Sequence, residues 1–456
     1  MADIAGLLSD IVGAEHVLTG DAINDDYTHD ESLTARPVRP AFVVRPGSTA
    51  DVAQIVRLAA EHALPLTARG SGTGLSGACI PSAEGILVSF ERMAEILEID
   101  LGNHMAVVQP GVTLEQLDEV TRGHGLVYPV FPGESSASLG GNVNTNAGGM
   151  RAVKYGVTRH QVLALEAVLG TGEVVRTGGR FVKATSGYDL TQLVIGSEGT
   201  LGVVTEATLR LYPRPEHSAT VLAPFARLDE ITEAVPRIVG SGIGPLILEY
   251  IDLVSMGGIT SAAGLDLGVP AEIKESALAY LVVVLEQRRA DRLEEDVQEL
   301  AEMIAGFGAL DVYVLPPQAG SALIAARERA FWGAKAAGAH DLIDMVVPRA
   351  QMTRYMAEVA SVAESTGSFI VGCGHAGDGN VHLSVFQPDP GVLHDAVHRV
   401  LSAGAALGGA VSGEHGIGVA KKDHFLALED PAKIELMRRI KTAFDPAGIL
   451  NPGVLF

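Results

Sequence analysis

The sequence predicts an α+β protein built from more than one domain, and three observations lead to this class. From residue 41 onward, short apolar strands alternate with amphipathic helical segments. Glycine-rich segments are concentrated before residue 213 and return only after residue 370. Between them, residues 216–370 alternate apolar strands with charged helices, which is typical of one sheet covered by helices. With 456 residues, the chain is long enough for two or three domains.

Charge and cysteine content exclude several classes of protein. The formal net charge of −22 argues against nucleic acid as a partner, because binding to phosphates requires clustered Lys and Arg. Two cysteines, Cys79 and Cys373, are too few for a disulfide framework or a cysteine-based zinc site. The sequence shows no signal-peptide pattern and no apolar run as long as a transmembrane helix, about 18 residues. We therefore expect a cytoplasmic protein, with peripheral attachment to the inner membrane left open.

Periodicity and capping residues predict the individual elements. Residues 1–36 are expected to form one helix and a polar connector, with an apolar helix face made of Leu7, Leu8, Ile11 and Val12. Ser48 or Thr49 is expected to cap the next helix, and Thr113 with Gln116 forms the pattern of a capping box. Strands are expected at 41–44, 64–67, 86–90, 106–111, 162–169, 173–175, 247–250, 281–285 and 311–314. Charged helices are expected at 291–304, 318–331 and 349–365.

The first glycine-rich segment, residues 68–78, follows a predicted strand directly. It contains four glycines that alternate with small residues, and Arg69 stands at its start. Because glycine has no Cβ, consecutive backbone N–H groups can approach an anion closely. We interpret this segment as a cradle for a pyrophosphate, although a flexible surface loop has the same composition. Another strand follows instead of a helix, so the doubly wound dinucleotide fold is excluded.

Two further glycine-rich segments follow in the first half. Residues 131–149 are too polar and too poor in bulky side chains for a core element, so we expect a long loop there. A long stretch without periodicity is either functional or disordered, and the predicted strands on both sides favour a functional loop. Residues 195–204 form the third segment, which leads into a strand.

A second constellation lies in the C-terminal part, at residues 372–382 and 412–418. Four glycines between 372 and 379 disfavour a helix, so His375 is expected on a turn, whereas alternation places His382 on a strand. Glu414 supplies a third ligand from another segment. Two imidazoles and one carboxylate leave positions open on a divalent metal, which is the pattern of a catalytic site. His415 is then free to act as a base. The alternative is that these are ordinary turn histidines.

The three glycine-rich segments together resemble the FAD-binding domain of the vanillyl-alcohol oxidase and para-cresol methylhydroxylase superfamily. The resemblance covers about residues 37–213 and implies an FAD-binding domain of two subdomains. It implies that FAD is bound by Arg69, Gly70, Ser71, Gly72, Thr73, Gly74, Pro132, Gly133, Ser138, Gly141, Asn142, Ala147, Glu198, Gly202 and Val203. Some members attach the flavin through a histidine in the first segment. The first segment of this chain contains Thr73 and no histidine, so non-covalent FAD is expected.

The C-terminal half resembles the FAD-linked dehydrogenases of D-2-hydroxy acids, which include D-lactate dehydrogenase, the glycolate oxidase flavin subunit and D-2-hydroxyglutarate dehydrogenase. This resemblance implies a divalent metal, expected to be zinc, on His375, His382 and Glu414, with His415 as the catalytic base. It also implies that Arg327 binds the substrate carboxylate, with Arg329 as the competing candidate. Phe331 and Trp332 are expected to line the substrate pocket, and Asn451 in the C-terminal tail is expected to contact FAD.

The resemblance implies four parts of the chain. They are an N-terminal helix and connector (1–36), the FAD-binding domain (37–213), a substrate domain with an antiparallel sheet covered by helices that carries the metal histidines (214–410), and a C-terminal segment returning to the FAD-binding domain (411–456). Hydroxyglutarate enzymes carry a lysine where this chain has Leu342, and an asparagine where it has Ser384. Both differences favour a monocarboxylate, D-lactate or glycolate, or an acid with an apolar tail.

The predicted reaction is therefore oxidation of a D-2-hydroxy acid to the 2-oxo acid, with metal-bound substrate, a histidine base and hydride transfer to flavin N5. D-2-hydroxyglutarate dehydrogenase and a metal-free flavin alcohol oxidase are the alternatives within the superfamily, and a metal-dependent hydrolase or a binding module are alternatives from other classes. The electron acceptor is open among a quinone, a cytochrome, an electron-transfer flavoprotein and an accessory subunit. A homodimer is one option for the assembly.

Overall fold

The computed structural model describes residues 3–456 and confirms the α+β class. The first two residues of the predicted segment 1–36 lie outside the described residues. The N-terminal elements are α1 (Ile4–Val12), β1 (Val17–Thr19), β2 (Phe42–Val44), α2 (Thr49–Glu61), β3 (Leu66–Arg69) and β4 (Ile86–Ser89). The four strands form one sheet in the order β1-β2-β4-β3, with β2, β4 and β3 parallel. Ser48 caps α2, whose predicted core face is buried against this sheet.

A second, antiparallel sheet follows. Its elements are β5 (Ile96–Asp100), β6 (Met105–Val108), α3 (Leu114–Arg122), β7 (Leu126–Val127), α4 (Leu139–Thr145), α5 (Ala152–Tyr155), β8 (Val162–Val168), β9 (Val174–Gly178), α6 (Leu190–Val194), β10 (Val203–Arg210) and β11 (Tyr212–Pro213). Five strands pair in the order β5-β6-β10-β8-β9, and β7 pairs with β11. The capping box of Thr113 and Gln116 is present at α3, and β8 and β9 form the predicted hairpin.

The second half is organised on an eight-stranded antiparallel sheet. Its elements are β12 (His217–Phe225), α7 (Leu228–Gly240), β13 (Ile247–Asp252), α8 (Leu253–Ala263), α9 (Ala271–Ser276), β14 (Ala279–Gln287), α10 (Ala290–Ala305), β15 (Tyr313–Leu315), α11 (Pro317–Glu328), α12 (Ala330–Ala336), β16 (Asp341–Val346), α13 (Met352–Thr366), β17 (Phe369–His375), β18 (Asn380–Phe386), α14 (Pro390–Ala406), β19 (Ala410–Val411), α15 (Lys422–Leu428) and α16 (Pro431–Phe444). The strand order is β15-β12-β14-β13-β17-β18-β16-β19, and the largest core lies between this sheet and its helices.

Three sequence predictions about local structure are wrong. Residues 131–149 are not a loop throughout, because Ser138 caps the short helix α4, with its Oγ 3.3 Å from the Gly141 amide nitrogen. The helix predicted at 318–331 is divided into α11 and α12 at Arg329, which has φ −87° and ψ 9°. His375 is the last residue of β17 rather than a turn residue, since the turn begins at Ala376.

The C-terminal segment lies beside the first sheet. The Leu66 amide donates to the Ile449 carbonyl, and the Asn451 amide donates to the Leu66 carbonyl, both at 2.8 Å. These bonds extend the edge of the sheet at β3, which leads into the first glycine-rich segment. The division of the chain at residues 36, 213 and 410 stays a prediction. No helix within residues 3–456 is long and apolar enough to cross a bilayer.

Candidate active site where two clefts meet

The three glycine-rich segments line one cleft. Most of the predicted cofactor residues lie in its wall: Arg69, Gly70, Ser71, Gly72, Thr73, Gly74, Pro132, Ser138, Gly141, Asn142, Ala147 and Glu198. Gly133 lies in the wall of the second cleft described below, whereas Gly202, Val203 and Asn451 line neither cleft. The structure thus brings the three segments together as the sequence predicted. The last three of these residues lie outside the surface that lines the clefts. We call this space the cofactor cleft.

The wall of the cofactor cleft contains buried polar atoms that suit a polar ligand. The Asn142 Nδ2 atom is buried and has no hydrogen-bond partner within residues 3–456. The same holds for Asp30 Oδ2, and burial raises the pKa of Asp30 to about 6. Buried donors and acceptors without partners are unfavourable, so a bound group that pairs with them is stabilising. Sequence reasoning missed Asp30, because the connector around it shows no pattern that marks it as a ligand residue.

Asn451 holds three segments together instead of lining the cleft. Its Nδ2 atom donates to the carbonyls of Ala78 and Glu198, both at 2.7 Å, and its Oδ1 atom accepts from Thr67 Oγ1 at 3.1 Å. Since Ala78 is the last residue of the first glycine-rich segment and Glu198 lies in the third, the amide joins two walls of the cleft. Asn451 thus positions the cofactor cleft from outside its wall, and its direct contact with FAD stays a prediction.

We expect Asn451→Ala to destabilise the protein by about 2–4 kcal/mol, because three buried polar groups lose their partner. A lower melting temperature and a lower FAD content after purification would show this. Asn103→Ala is the matched control, since Asn103 makes an exposed hydrogen bond to Asp100 at 2.7 Å. Equal melting temperatures for the two variants would contradict the role assigned to Asn451.

Glu198 connects the cofactor cleft to the second constellation. Its carboxylate accepts hydrogen bonds from the amides of Ile417 and Gly418, both at 2.7 Å. Burial raises the pKa of Glu198 to about 7. The third glycine-rich segment is thereby bonded to the segment that carries Glu414 and His415.

The predicted metal residues converge at the edge of the large sheet. β17 and β18 are antiparallel neighbours, which places His375 and His382 side by side with ring centroids 4.7 Å apart. One oxygen of Glu414, Oε1, lies 3.1 Å from His375 Nε2 and 3.2 Å from His382 Nε2. A Cβ at Gly148 would lie 2.5 Å from the other Glu414 oxygen, so the second glycine-rich segment closes on this carboxylate. The strands β17 and β18, the segment that carries Glu414 and the second glycine-rich segment thus bring the three predicted ligands together.

Two overlapping sets of three ligand atoms lie within 4.8 Å of one another. One is the predicted set of His375, His382 and Glu414, and the other consists of Asp344, His382 and His415. The rings of His382 and His415 stack with centroids 4.9 Å apart. If the first set binds a metal, His415 is free to act as a base. If the second set binds the metal, His415 is one of its ligands. Burial lowers the pKa of His415, which favours its neutral form.

Two buried carboxylates behind these ligands were not predicted. Glu249 is fully buried, with Oε1 at 2.5 Å from His375 Nδ1 and Oε2 at 2.7 Å from Arg327 Nη2. Burial opposes a charged His375, but Glu249 and Glu414 outweigh it and raise the pKa of His375 well above its usual range. The signal for Glu249 in the sequence is one acidic residue within the apolar strand at 247–250. A carboxylate on the outer nitrogen of a ligand histidine fixes the ring and its tautomer.

Asp344 is the second of these carboxylates, and it fixes the segment that carries Glu414 and His415. Its Oδ2 atom accepts hydrogen bonds from the amides of Glu414 and His415 at 2.8 Å and from Ser412 Oγ at 2.7 Å. Its Oδ1 atom accepts from Asn380 Nδ2 at 2.7 Å. Asp344 lies on β16, next to His382 in register on β18. The position of Glu414 and His415 thus depends on the large sheet.

A second cleft, the substrate cleft, lies on the other side of this cluster and has a volume of about 530 Å³. Its wall includes the predicted substrate residues Arg327, Phe331 and Trp332, together with Arg329. Arg327 is buried at the end of α11, whereas Arg329 is exposed. The two clefts share four wall residues, which are Leu75, Pro132, Glu414 and His415. Glu414 and His415 therefore stand where a cofactor in one cleft meets a substrate in the other.

Fold and site together define a flavoprotein oxidoreductase, and comparison with known proteins identifies its family. A model of the C-terminal domain of FAD-linked oxidases matches residues 214–455, and a model of an FAD-binding domain matches residues 40–178. The chain belongs to the FAD-linked oxidases and is an FAD-linked oxidoreductase. This confirms the predicted cofactor and enzyme class.

Individual relatives support the same assignment. An uncharacterised FAD-linked oxidoreductase of Mycobacterium tuberculosis is 55% identical over 100% of this chain and 99% of its own length. A D-lactate dehydrogenase of Anaerostipes hadrus is 36% identical over 97% of this chain and 95% of its own length. The crystal structure of p-cresol methylhydroxylase with bound substrate superimposes with a TM-score of 0.82 at 18% identity, covering 98% of this chain and 95% of that one. This similarity confirms the predicted fold.

Proposed function

We propose that this FAD-linked oxidoreductase oxidises a D-2-hydroxy acid to the corresponding 2-oxo acid. The observation that carries the proposal is the position of Glu414 and His415 in the walls of both clefts, with Arg327 in the substrate cleft. A cation for the carboxylate and a base for the hydroxyl thus lie beside the space for the flavin. The relative named D-lactate dehydrogenase, at 36% identity, supports this class of substrate.

The residues present suit both groups that the reaction needs. FAD would be held by the wall of the cofactor cleft, and a divalent metal, for which we propose zinc, by His375, His382 and Glu414. Two imidazole nitrogens beside one carboxylate oxygen form a donor set typical of zinc sites with an open position. When bound, FAD supplies the redox chemistry and the metal acts as a Lewis acid toward the substrate oxygens.

The side chains of this chain bind the substrate and take up its proton. Arg327 is ion-paired to Glu249 through Nη2, and its remaining donors are left for the substrate carboxylate. His415, held neutral by burial, accepts the proton of the 2-hydroxyl group at a ring nitrogen. Oxidation also removes a hydride from C2, so one proton and one hydride leave as the C=O bond forms.

The substrate cleft favours one carboxylate over two. Leu342 and Ser384, the two positions that differ from hydroxyglutarate enzymes, both lie in its wall. A leucine and a serine offer no positive charge for a distal carboxylate. We therefore propose a monocarboxylate, such as D-lactate or glycolate, ahead of D-2-hydroxyglutarate.

Anaerobic flavin reduction tests the proposed function. The purified protein is expected to be yellow, and D-lactate is expected to bleach its flavin absorbance while L-lactate does not. Dialysis against a chelator is expected to lower kcat/KM by about 100-fold, since a Lewis acid contributes several kcal/mol to such a step, and added zinc should restore it. Absence of bleaching with every D-2-hydroxy acid would refute the proposal. Full activity after chelation would favour the metal-free alcohol oxidase.

A further inference from the structure

Most of the substrate cleft lies beyond the polar cluster and is apolar. Lactate fills only a small part of its volume of about 530 Å³. The wall that extends from the cluster is formed by α8 and α12, by three strands of the large sheet and by the loop before β16. Its uncharged members include Val254, Ile259, Phe331, Trp332 and Phe386. Among the lining residues of the cleft, only Ser255 and Ser384 carry a hydroxyl group.

The charged groups of the cleft belong to one short segment and the ligand cluster. Arg327, Glu328 and Arg329 are consecutive at the junction of α11 and α12, and the remaining charged groups are the histidines and Glu414. Lys335 on α12 is paired with Glu31 at 2.5 Å and is not part of the wall. No wall residue within α8 or α12 carries a charge, and the Lys335 ammonium, 5.3 Å from the ring centroid of Trp332, is neutralised by Glu31.

The apolar wall of the cleft is also partly exposed to solvent. Val254 is 51% exposed and Trp332 is 40% exposed, and both line the cleft. Their rings and methyl groups would lose contact with water if an apolar group occupied the cleft, which is favourable in proportion to the area covered. The surface is continuous with the site that holds the carboxylate and hydroxyl of the substrate.

We propose that the preferred substrate is a D-2-hydroxy monocarboxylate with an apolar tail of several carbons, which lies along α8 and α12. This inference rests on the proposed function, and it makes the short acids lactate and glycolate secondary substrates. Arg327 binds the carboxylate at one end of the cleft, and the tail extends from C2 over Gly258, Phe331 and Trp332. Each buried methylene contributes to binding, so kcat/KM rises by about fourfold for each carbon added.

Gly258 offers a direct way to shorten the cleft. A Cβ built at this residue meets no atom within 4 Å, and its backbone is helical, so a larger side chain fits without a clash in the protein. Gly257 is the matched control, since it lies on the same helix with equally open space at its Cβ but is not in the wall of the cleft. Leucine at Gly258 enters the cleft, whereas leucine at Gly257 does not.

The test is a substrate series with the FAD-loaded enzyme. D-lactate, D-2-hydroxyhexanoate, D-2-hydroxyoctanoate and D-2-hydroxyglutarate are compared by kcat/KM and by the rate of anaerobic flavin reduction. We expect kcat/KM to rise about 60-fold from D-lactate to D-2-hydroxyhexanoate, because three methylenes are added. Gly258→Leu should abolish most of this preference, and Gly257→Leu should keep it. Calorimetric titration with pyruvate and 2-oxooctanoate should show the same order of affinity without turnover.

The outcomes separate this inference from the proposed function. Turnover of D-lactate with no gain for longer acids would overturn the apolar-tail substrate and leave the proposed function intact. A preference for D-2-hydroxyglutarate over D-2-hydroxyoctanoate would also overturn it, and would assign the exposed Arg329 to the second carboxylate. Absence of flavin reduction by any member of the series would overturn both.

Discussion

Replacing His415 with alanine is expected to slow reduction of the bound flavin by a D-2-hydroxy acid about 10²- to 10⁴-fold, the usual contribution of a positioned base. The imidazole lies in the walls of both clefts, is half-buried and is stacked on His382. Without it, the hydroxyl proton loses the neutral imidazole that lies in the walls of both clefts. Stopped-flow measurement of anaerobic bleaching gives the rate, and flavin absorbance before mixing shows that FAD is still bound. His394→Ala, at an exposed position on α14, is the control that should leave the rate unchanged.

The metal content of the same variant distinguishes the two ligand sets. If the metal is bound by His375, His382 and Glu414, His415→Ala keeps it and Glu414→Ala loses it. If Asp344, His382 and His415 form the site, the result for these two variants is reversed. Undiminished bleaching by His415→Ala would remove this residue from the mechanism, and loss of metal together with activity would make it a ligand rather than a base.

Much of this site could be predicted from local sequence. The glycine-rich segments and the spacing of His375, His382, Glu414 and His415 carry the information in short stretches, and the structure brings them together. A glycine-rich segment with free backbone N–H groups can be recognised from a few consecutive residues. The same holds for two histidines on strands that follow each other in the sequence. The capping box at Thr113 is local for the same reason.

The parts that could not be predicted depend on contacts between distant residues. Glu249 lies on β13 and meets His375 because β13 pairs with β17, a register that no local pattern specifies. Asn451 is more than 250 residues from Glu198, so its bond to that carbonyl is visible only after folding. The helix α4 was missed because its residues are glycines and asparagines, which have low helix propensity and are stabilised here by the Ser138 cap.

Glu249→Gln is expected to weaken two functions at once, because one carboxylate bonds to both Arg327 and His375. Removing its charge leaves the buried Arg327 without a counter-ion, and breaking such a pair costs about 3–5 kcal/mol. It also removes the carboxylate that orients His375, for which a 10- to 100-fold loss of metal affinity is usual. We expect a higher KM for the hydroxy acid, weaker metal binding in competition with a chelator, and a lower melting temperature.

A matched control separates positioning from a purely structural role. Glu166 is also a buried carboxylate bonded to an arginine, with Arg176 Nε at 2.7 Å, but it lies on β8 outside both clefts. Glu166→Gln should lower the melting temperature and leave the KM and the metal affinity unchanged. If Glu249→Gln behaves in the same way, Glu249 only stabilises the sheet. If Glu249→Gln alters KM and metal affinity together, this one side chain positions both Arg327 and His375. Substrate binding and metal binding are then coupled through Glu249.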